Sequence, residues 1–204
     1  MEIATWSASA RLWRLTLSND AASGGRVSLR IARDFQGHSL PAAHCAEIGL
    51  TLQEQGLVVD VDAPYFGDPA PRGPIGPVDG LWEYEVSELF IADAADHYLE
   101  IELSPHGHHL VLELKGVRHV VRARLPIEYS VYVEAVEEAS EGVKGRYRGL
   151  ARVPRAYLPA RPLRANAYLI HGSGPARAYL AHSPPLGETP DFHRLACFVP
   201  LRLA

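Results

Sequence analysis

Apolar side chains recur at every second position along much of this chain, and this period of two limits its possible folds more than any other feature. Residues 98–103 alternate Leu or Ile with Tyr or Glu, and residues 109–114 alternate Leu with His, Val or Glu. Such alternation places the apolar side chains on one face of an extended strand. Because residues 104–108 between these segments have a turn-forming composition, we predict a β-hairpin.

Shorter segments with the same alternation follow one another along the rest of the chain. The apolar spacing of about 3.6 residues that an amphipathic α-helix requires is scarce here. Roughly ten short strands separated by turns are typical of a β-sandwich or barrel. The predicted strands are residues 12–17, 26–31, 56–61, 81–91, 117–125, 129–136, 147–153, 165–170, 176–182 and 195–201, the first two paired around residues 19–25, and a helical turn is predicted near 155–158.

The composition excludes several classes of protein. The chain has 204 residues, 47% of them hydrophobic and 22% charged, which fits one folded domain. A net charge of −4 gives no attraction to nucleic acid or to an anionic membrane, and no apolar run could span a bilayer. The first residues lack the features of a signal peptide, so we expect a cytoplasmic protein. Cys45 and Cys197 are then expected as free thiols, with a bridge between them as the open alternative.

A long connection between residues 63 and 80 contains five prolines and three glycines. Loops of this length without regular structure are usually either functional or disordered. Proline lowers the entropy that is lost on ordering, and Tyr65 and Phe66 offer anchors. We therefore expect an ordered loop beside a binding site, although a surface loop without a role is also open.

The most informative segment is residues 81–91, because one carboxylate interrupts an apolar face. Trp82, Val86 and Phe90 share a strand parity with Glu88. A carboxylate at such a position is costly unless it is paired or hydrogen-bonded. Glu88 therefore belongs either to a buried structural network or to a binding site.

Further carboxylates and histidines cluster around the predicted hairpin. Glu100 and Glu102 share a face of the predicted strand, and Glu113 is expected on the same side. This face is either exposed to solvent or a surface that binds hydroxyl groups or a hard cation such as Ca²⁺. The turn carries His106, His108 and His109, but three histidines in one turn rarely form a closed metal site. No nucleophile elbow, P-loop, dinucleotide-binding or zinc-hydrolase motif occurs.

Two polar groups lie near the end of the chain. His171 opens the sequence HGSG, and Asp191, His193 and Arg194 concentrate charge in an apolar, proline-marked segment. An Asp–His–Arg cluster can fix a histidine tautomer or bind a carboxylate such as Glu88, and it can equally cap a loop.

Taken in order, residues 58–69, 81–91, 98–114, 171–174 and 190–195 resemble a group of DOMON-like conserved hypothetical proteins, which is similar to the family-9 carbohydrate-binding modules. The resemblance implies an antiparallel β-sandwich of two sheets, with residues 1–204 as a single domain, 56–200 as its family-like core and 1–55 as less certain N-terminal strands. Family-9 modules hold sugars between aromatic rings and bind structural calcium. Trp82 and Glu88 match a tryptophan and an acid of that pattern, and Tyr65, Phe66 and Phe192 are candidates for the second aromatic ring.

Together these patterns favour a non-catalytic binding domain for a small polar ligand, with a carbohydrate as the first candidate. No catalytic residue is assigned, Ca²⁺ is the only candidate cofactor, and the oligomeric state is left open. The alternatives are an enzyme that uses Glu88 with a nearby histidine as an acid/base pair, and a structural or partner-binding domain without a ligand. The predicted site, under the proline-rich loop, comprises Tyr65, Trp82, Glu88, Glu100, His106, His171, Asp191, His193 and Arg194.

Overall fold

Two antiparallel sheets packed face to face form the molecule, as the alternation predicts. The computed structural model describes residues 25–140, 142–161 and 163–203, within which all regular structure is β-strand or short 3₁₀ turn. None of the helical turns in these ranges has the length or the apolar content to cross a membrane. The strands are β1 (Val27–Ile31), β2 (Arg33–Asp34), β3 (Ala46–Leu52), β4 (Gly56–Tyr65), β5 (Val86–Ala92), β6 (His97–Leu103), β7 (His109–Lys115), β8 (Val120–Arg122), β9 (Glu128–Ser140), β10 (Val143–Pro154), β11 (Leu163–His171), β12 (Ala178–Ala181) and β13 (Val199–Leu201).

The first sheet has the strand order β1–β3–β4–β10–β9, and its outer face is charged. Arg26 forms ion pairs with Glu47 at 2.8 Å and with Asp60 at 2.7 Å. Arg146 pairs with Asp62 at 2.7 Å. This sheet therefore has one solvated face, as antiparallel sheets commonly do.

The second sheet has the order β2–β12–β11–β5–β6–β7–β8, with β13 added on β11. It differs from the first sheet because both of its faces are covered. Leu89, Ile91 and Ile101 face the core between the sheets, whereas Phe90 and Tyr98 belong to a separate apolar layer on the outer face. Residues that follow or precede the strands complete this outer layer, among them Leu81, Phe192, Leu195 and Phe198.

One polar contact joins the two sheets across the main core. The hydroxyl groups of Ser87 on β5 and Tyr147 on β10 lie 2.5 Å apart, and both side chains are buried. Burial raises the pKa of Tyr147, so the phenol stays neutral.

The predicted hairpin is confirmed as β6 and β7, which pair from His97↔Lys115 to Leu103↔His109. Gly107 in the turn has φ +86°, a conformation that favours glycine. The predicted helical turn is present as a 3₁₀ turn, Arg155–Tyr157. The predicted strand 12–17 lies outside the described residues.

Several strand predictions were wrong in their limits. Residues 81–83 form a 3₁₀ turn after Gly80, so β5 begins only at Val86 and Trp82 is not on the strand. Most of the predicted strand 117–125 is turn or irregular chain, with β8 limited to three residues. Residues 195–197 form a 3₁₀ turn before β13. The sequence reading also missed β3, although residues 46–52 alternate in the expected way.

Candidate functional site

A cavity of about 410 Å³ opens on the outer face of the second sheet. We call it the acid-floored cavity, because carboxyl groups from β5 and β6 lie at its base. Its lining comes from the second sheet, the turn before β5, the turn between β7 and β8, and the segment before β13. The lining residues are Trp82, Glu83, Glu88, Phe90, Glu100, Leu112, Leu114, Arg118, Val120, Ile170, Arg177, Tyr179, Pro190, Phe192 and His193.

Three carboxyl groups share one face of the sheet at the base of this cavity. Glu88 on β5 pairs directly with Glu102 on β6, and Glu100 lies two residues before Glu102. Directly paired side chains in an antiparallel sheet have Cβ atoms about 5 Å apart, and diagonal neighbours are about 7–8 Å apart. Glu88 and Glu100 line the cavity, whereas Glu102 lies beside them and is fully buried.

These carboxyl groups are buried with oxygen atoms left unpartnered. Glu88 is 2% exposed and Glu100 4%, yet Glu88 Oε1 and Glu100 Oε2 have no hydrogen-bond partner within the described residues. Desolvation raises the pKa of Glu100 to about 8. Desolvation and the neighbouring carboxyl groups raise the pKa of Glu88 and of Glu102 well above the ordinary range. The floor is therefore largely protonated at neutral pH.

Two arginines stand at the edge of the cavity with their guanidinium groups bound elsewhere. Arg118 donates to Asp191 at 2.9 Å. Arg177 donates to the backbone oxygen of Glu83 at 2.8 Å and to that of Trp82, and its guanidinium lies 5.6 Å from the Tyr179 ring centroid. These contacts hold positive charge at the opening, beside the Tyr179 ring and the backbone of Trp82.

His193 connects this edge to the floor. Its Nδ1 lies 2.8 Å from Tyr98 Oη, which accepts a hydrogen bond from the Arg118 N–H at 2.9 Å. Because the Tyr98 oxygen already accepts one hydrogen bond, the arrangement favours the Tyr98 hydroxyl donating to Nδ1. The imidazole proton then resides on Nε2. Nε2 lies 3.9 Å from Glu100 Oε2. Desolvation lowers the pKa of His193 to about 4, so the ring is neutral.

A second polar cluster secures the start of the proline-rich loop. The buried carboxylate of Glu85 accepts hydrogen bonds from the N–H groups of Phe66 at 2.7 Å and Asp68 at 2.9 Å. The Phe66 ring stacks on His171 with centroids 3.4 Å apart. His106 Nε2 lies 2.9 Å from the Asp68 backbone oxygen.

The predicted site residues therefore fall into three groups. Trp82, Glu88, Glu100 and His193 line the acid-floored cavity, with Asp191 at its edge through Arg118. Tyr65, His106 and His171 lie instead around the start of the proline-rich loop, and no residue between 64 and 80 lines the cavity. Arg194 faces away, since its guanidinium donates to the backbone oxygens of Pro185 and Leu186 at 2.6 Å.

Two expectations about the acidic face need correction. A solvated face for Glu100 and Glu102 is wrong, because both are buried under the outer apolar layer. Glu113 pairs with Leu99 and lies on the opposite face of the sheet, where it contacts His97 at 2.7 Å. Ca²⁺ binding stays a prediction. Within the described part of the chain, no group of three or more His, Cys, Asp or Glu side chains is arranged to hold a metal ion.

The sequence reading missed several residues of these two sites. Glu85 lies on the other strand parity from Glu88, where its neighbours Glu83 and Ser87 are polar, so the alternation does not mark it as buried. Arg118 and Arg177 lie in turns, where no periodicity marks a side chain as part of a site. Tyr179 is on a short strand whose pairing with β11 brings it to the cavity.

The chain is similar to known proteins in sequence and in fold. The UPF0462 protein C4orf33 homolog of Rattus norvegicus is 39% identical over 177 residues, which cover 82% of this chain and 84% of the rat protein. A candidate carbohydrate-binding protein from Bacteroides uniformis shares the fold, with a TM-score of 0.63 and 13% identity over 93% of this chain and 89% of its own. A family-9 carbohydrate-binding module from Caldicellulosiruptor kristjanssonii aligns with a TM-score of 0.42 and 13% identity over 76% of this chain and 70% of its own, too weak to support an argument. No protein-family model matches the chain.

Proposed function

This chain belongs to the UPF0462 family, and we propose that it is a non-catalytic domain that binds a small carbohydrate in the acid-floored cavity. The observation that carries the proposal is the pair of buried carboxyl groups, Glu88 and Glu100, with unpartnered oxygen atoms at the base of an open cavity. Buried polar groups are normally hydrogen-bonded, so such atoms suit a ligand that supplies the missing partners. The sequence-based expectations of a cytoplasmic location and a DOMON-like origin remain part of this proposal.

The walls of the cavity suit the apolar faces of a sugar ring. Trp82, in the 3₁₀ turn before β5, is 42% exposed, and Tyr179 and Phe192 contribute further aromatic surface. A ligand site of this size typically combines aromatic and apolar walls with a few convergent polar groups. The Bacteroides uniformis protein of the same fold supports the carbohydrate class.

An enzyme that uses Glu100 and His193 is the second candidate. In its favour, the carboxyl holds a proton and the imidazole does not, as a general acid and a general base require. Against it, the Nδ1 lone pair is engaged by Tyr98, and the nitrogen that faces Glu100 carries the proton. The geometry therefore favours binding over proton abstraction.

The test is calorimetric titration of the purified protein with a panel of neutral mono- and oligosaccharides. We expect at least one to bind, and Trp82→Ala to weaken its binding about fivefold or more, because an aromatic contact contributes about 1 kcal/mol or more. Tyr132→Ala is the matched control, since Tyr132 lies on the first sheet and pairs with Arg148, far from the cavity lining.

Two results would count against this function. Absence of binding to every saccharide would exclude it, and equal binding by Trp82→Ala would remove the cavity as the site. Recovery of the bound saccharide, followed by NMR, separates the candidates further. An unchanged sugar supports a binding domain, whereas a product that forms with the native protein and not with Glu100→Gln supports the enzyme.

A further inference from the structure

We propose that Glu88 and Glu100 act as neutral carboxylic acids that donate hydrogen bonds to an uncharged, hydroxyl-rich ligand. This inference rests on the proposed function and specifies how the site recognises its ligand. A protonated carboxyl is both a donor and an acceptor, as a sugar hydroxyl is, whereas a carboxylate can only accept. The cavity would therefore select ligands by charge and bind them in a pH-dependent way.

The sheet geometry alone opposes full ionisation of the floor. The direct pairing of Glu88 with Glu102, and the position of Glu100 on the same face, hold three carboxyl groups within one small area. Like charges at this spacing cannot all ionise in a desolvated site, so protons stay on the group. All three carboxyl groups have unpartnered oxygen atoms, and Glu88 Oε1 and Glu100 Oε2 belong to the two groups that line the cavity.

The other polar groups around the floor do not replace those protons. Arg118 is bound to Asp191, and Arg177 is bound to backbone oxygens before β5. His193 is neutral, with its Nε2 3.9 Å from Glu100 Oε2. Titratable and charged side chains from several elements face Glu88 and Glu100. From the central strands and the segments next to them come Glu83 before β5, Tyr98 and Glu102 on β6, and Arg118 after β7. From the later part of the chain come Tyr168 on β11, Arg177 and Tyr179 at β12, and Asp191 and His193 before β13.

Charge at the opening argues against ionic ligands of either sign. A cationic ligand would have to pass Arg118 and Arg177, whose charges act on Glu100 and Glu88 respectively. An anionic ligand would find both guanidinium groups already bound, to Asp191 and to backbone oxygens, and would meet a floor that loses its protons as the pH rises. An uncharged polyol avoids both costs, because it exchanges hydrogen bonds with the acids and packs its C–H faces on the aromatic walls.

The experiment measures binding of matched sugars of different charge across a range of pH. The probes are glucose, glucosamine and glucuronate, with the galactose and mannose series beside them, titrated calorimetrically between pH 5.5 and 9.5. We expect the neutral sugar of a series to bind at least tenfold more tightly than its charged partners at pH 6.5. Its affinity should be level at low pH and fall about tenfold for each pH unit above 8, because the donor is then lost.

Glu100→Gln supplies the matched variant, since an amide donates a hydrogen bond at every pH. The affinity of this variant for the neutral sugar should fall less steeply above pH 8 than that of the native protein, with circular dichroism at each pH confirming that both proteins are folded. Binding of neutral sugars that is constant to pH 9.5, or tighter binding of glucosamine or glucuronate, would overturn the inference and leave the proposed function standing. A protein that binds no sugar of any series at any pH would fail both.

Discussion

Replacing Glu100 with glutamine should change how the stability of the protein depends on pH. The folded chain holds the Glu100 proton up to about pH 8, whereas an ordinary glutamate releases it near 4.5. Because the pKa is raised on folding, the associated stability is fully present below pH 4.5 and is lost as the pH rises toward 8. With about 1.4 kcal/mol for each pH unit, the loss amounts to about 3 kcal/mol at pH 7.

Glu100→Gln lacks this loss, because its amide is neutral in both the folded and the unfolded chain. We therefore expect its free energy of unfolding, relative to the native protein, to rise by about 3 kcal/mol between pH 4.5 and pH 7. Urea denaturation at several pH values measures this change, with exposed Glu54→Gln as the control. A difference between Glu100→Gln and the native protein that does not vary with pH would refute the argument.

Two further predictions concern buried polar contacts of the fold. Glu85→Ala removes the acceptor for the N–H groups of Phe66 and Asp68 and should lower the free energy of unfolding by about 2–4 kcal/mol. Limited proteolysis should then cleave the proline-rich loop faster. Unchanged stability would contradict the role of Glu85 as an anchor. Tyr147→Phe leaves the Ser87 hydroxyl buried without its partner and should lower the free energy of unfolding, measured by chemical denaturation, by about 1–3 kcal/mol. Adding Ser87→Ala to this variant should lower it by less than the same substitution does in the native protein. A strictly additive pair of effects would show that the two hydroxyl groups do not interact.

The fold was predictable to the extent that it rests on alternation. The hairpin of β6 and β7 has an unbroken period of two and was located correctly, as was β4 at its first residue. The start of β5 was not, because Trp82 and Tyr84 continue the alternation while Gly80, with φ +73°, bends the chain into a 3₁₀ turn. Alternation cannot distinguish a turn that happens to match its period from a strand.

The candidate site was only partly predictable, and the reason is the second apolar layer. Glu88 was identified because a carboxylate interrupted an apolar parity. For Glu100 and Glu102, a solvent-exposed position was an equally open interpretation, because one face of an antiparallel sheet commonly faces water. Only the packing of Phe192 and Phe198 over that face shows that these acids are buried, and contacts between distant segments leave no local pattern.

The cover over the second sheet also determines when a growing chain can acquire its site. Strands β5, β6 and β7 are synthesised well before residues 190–198, yet these late residues close the outer layer over them. Without this segment, Phe90 and Tyr168 lose part of their cover and the carboxyl floor is more open to water, which favours its ionisation. Docking of residues 190–198 closes the outer layer over the floor, so burial of the acids and formation of the cavity occur in the same step.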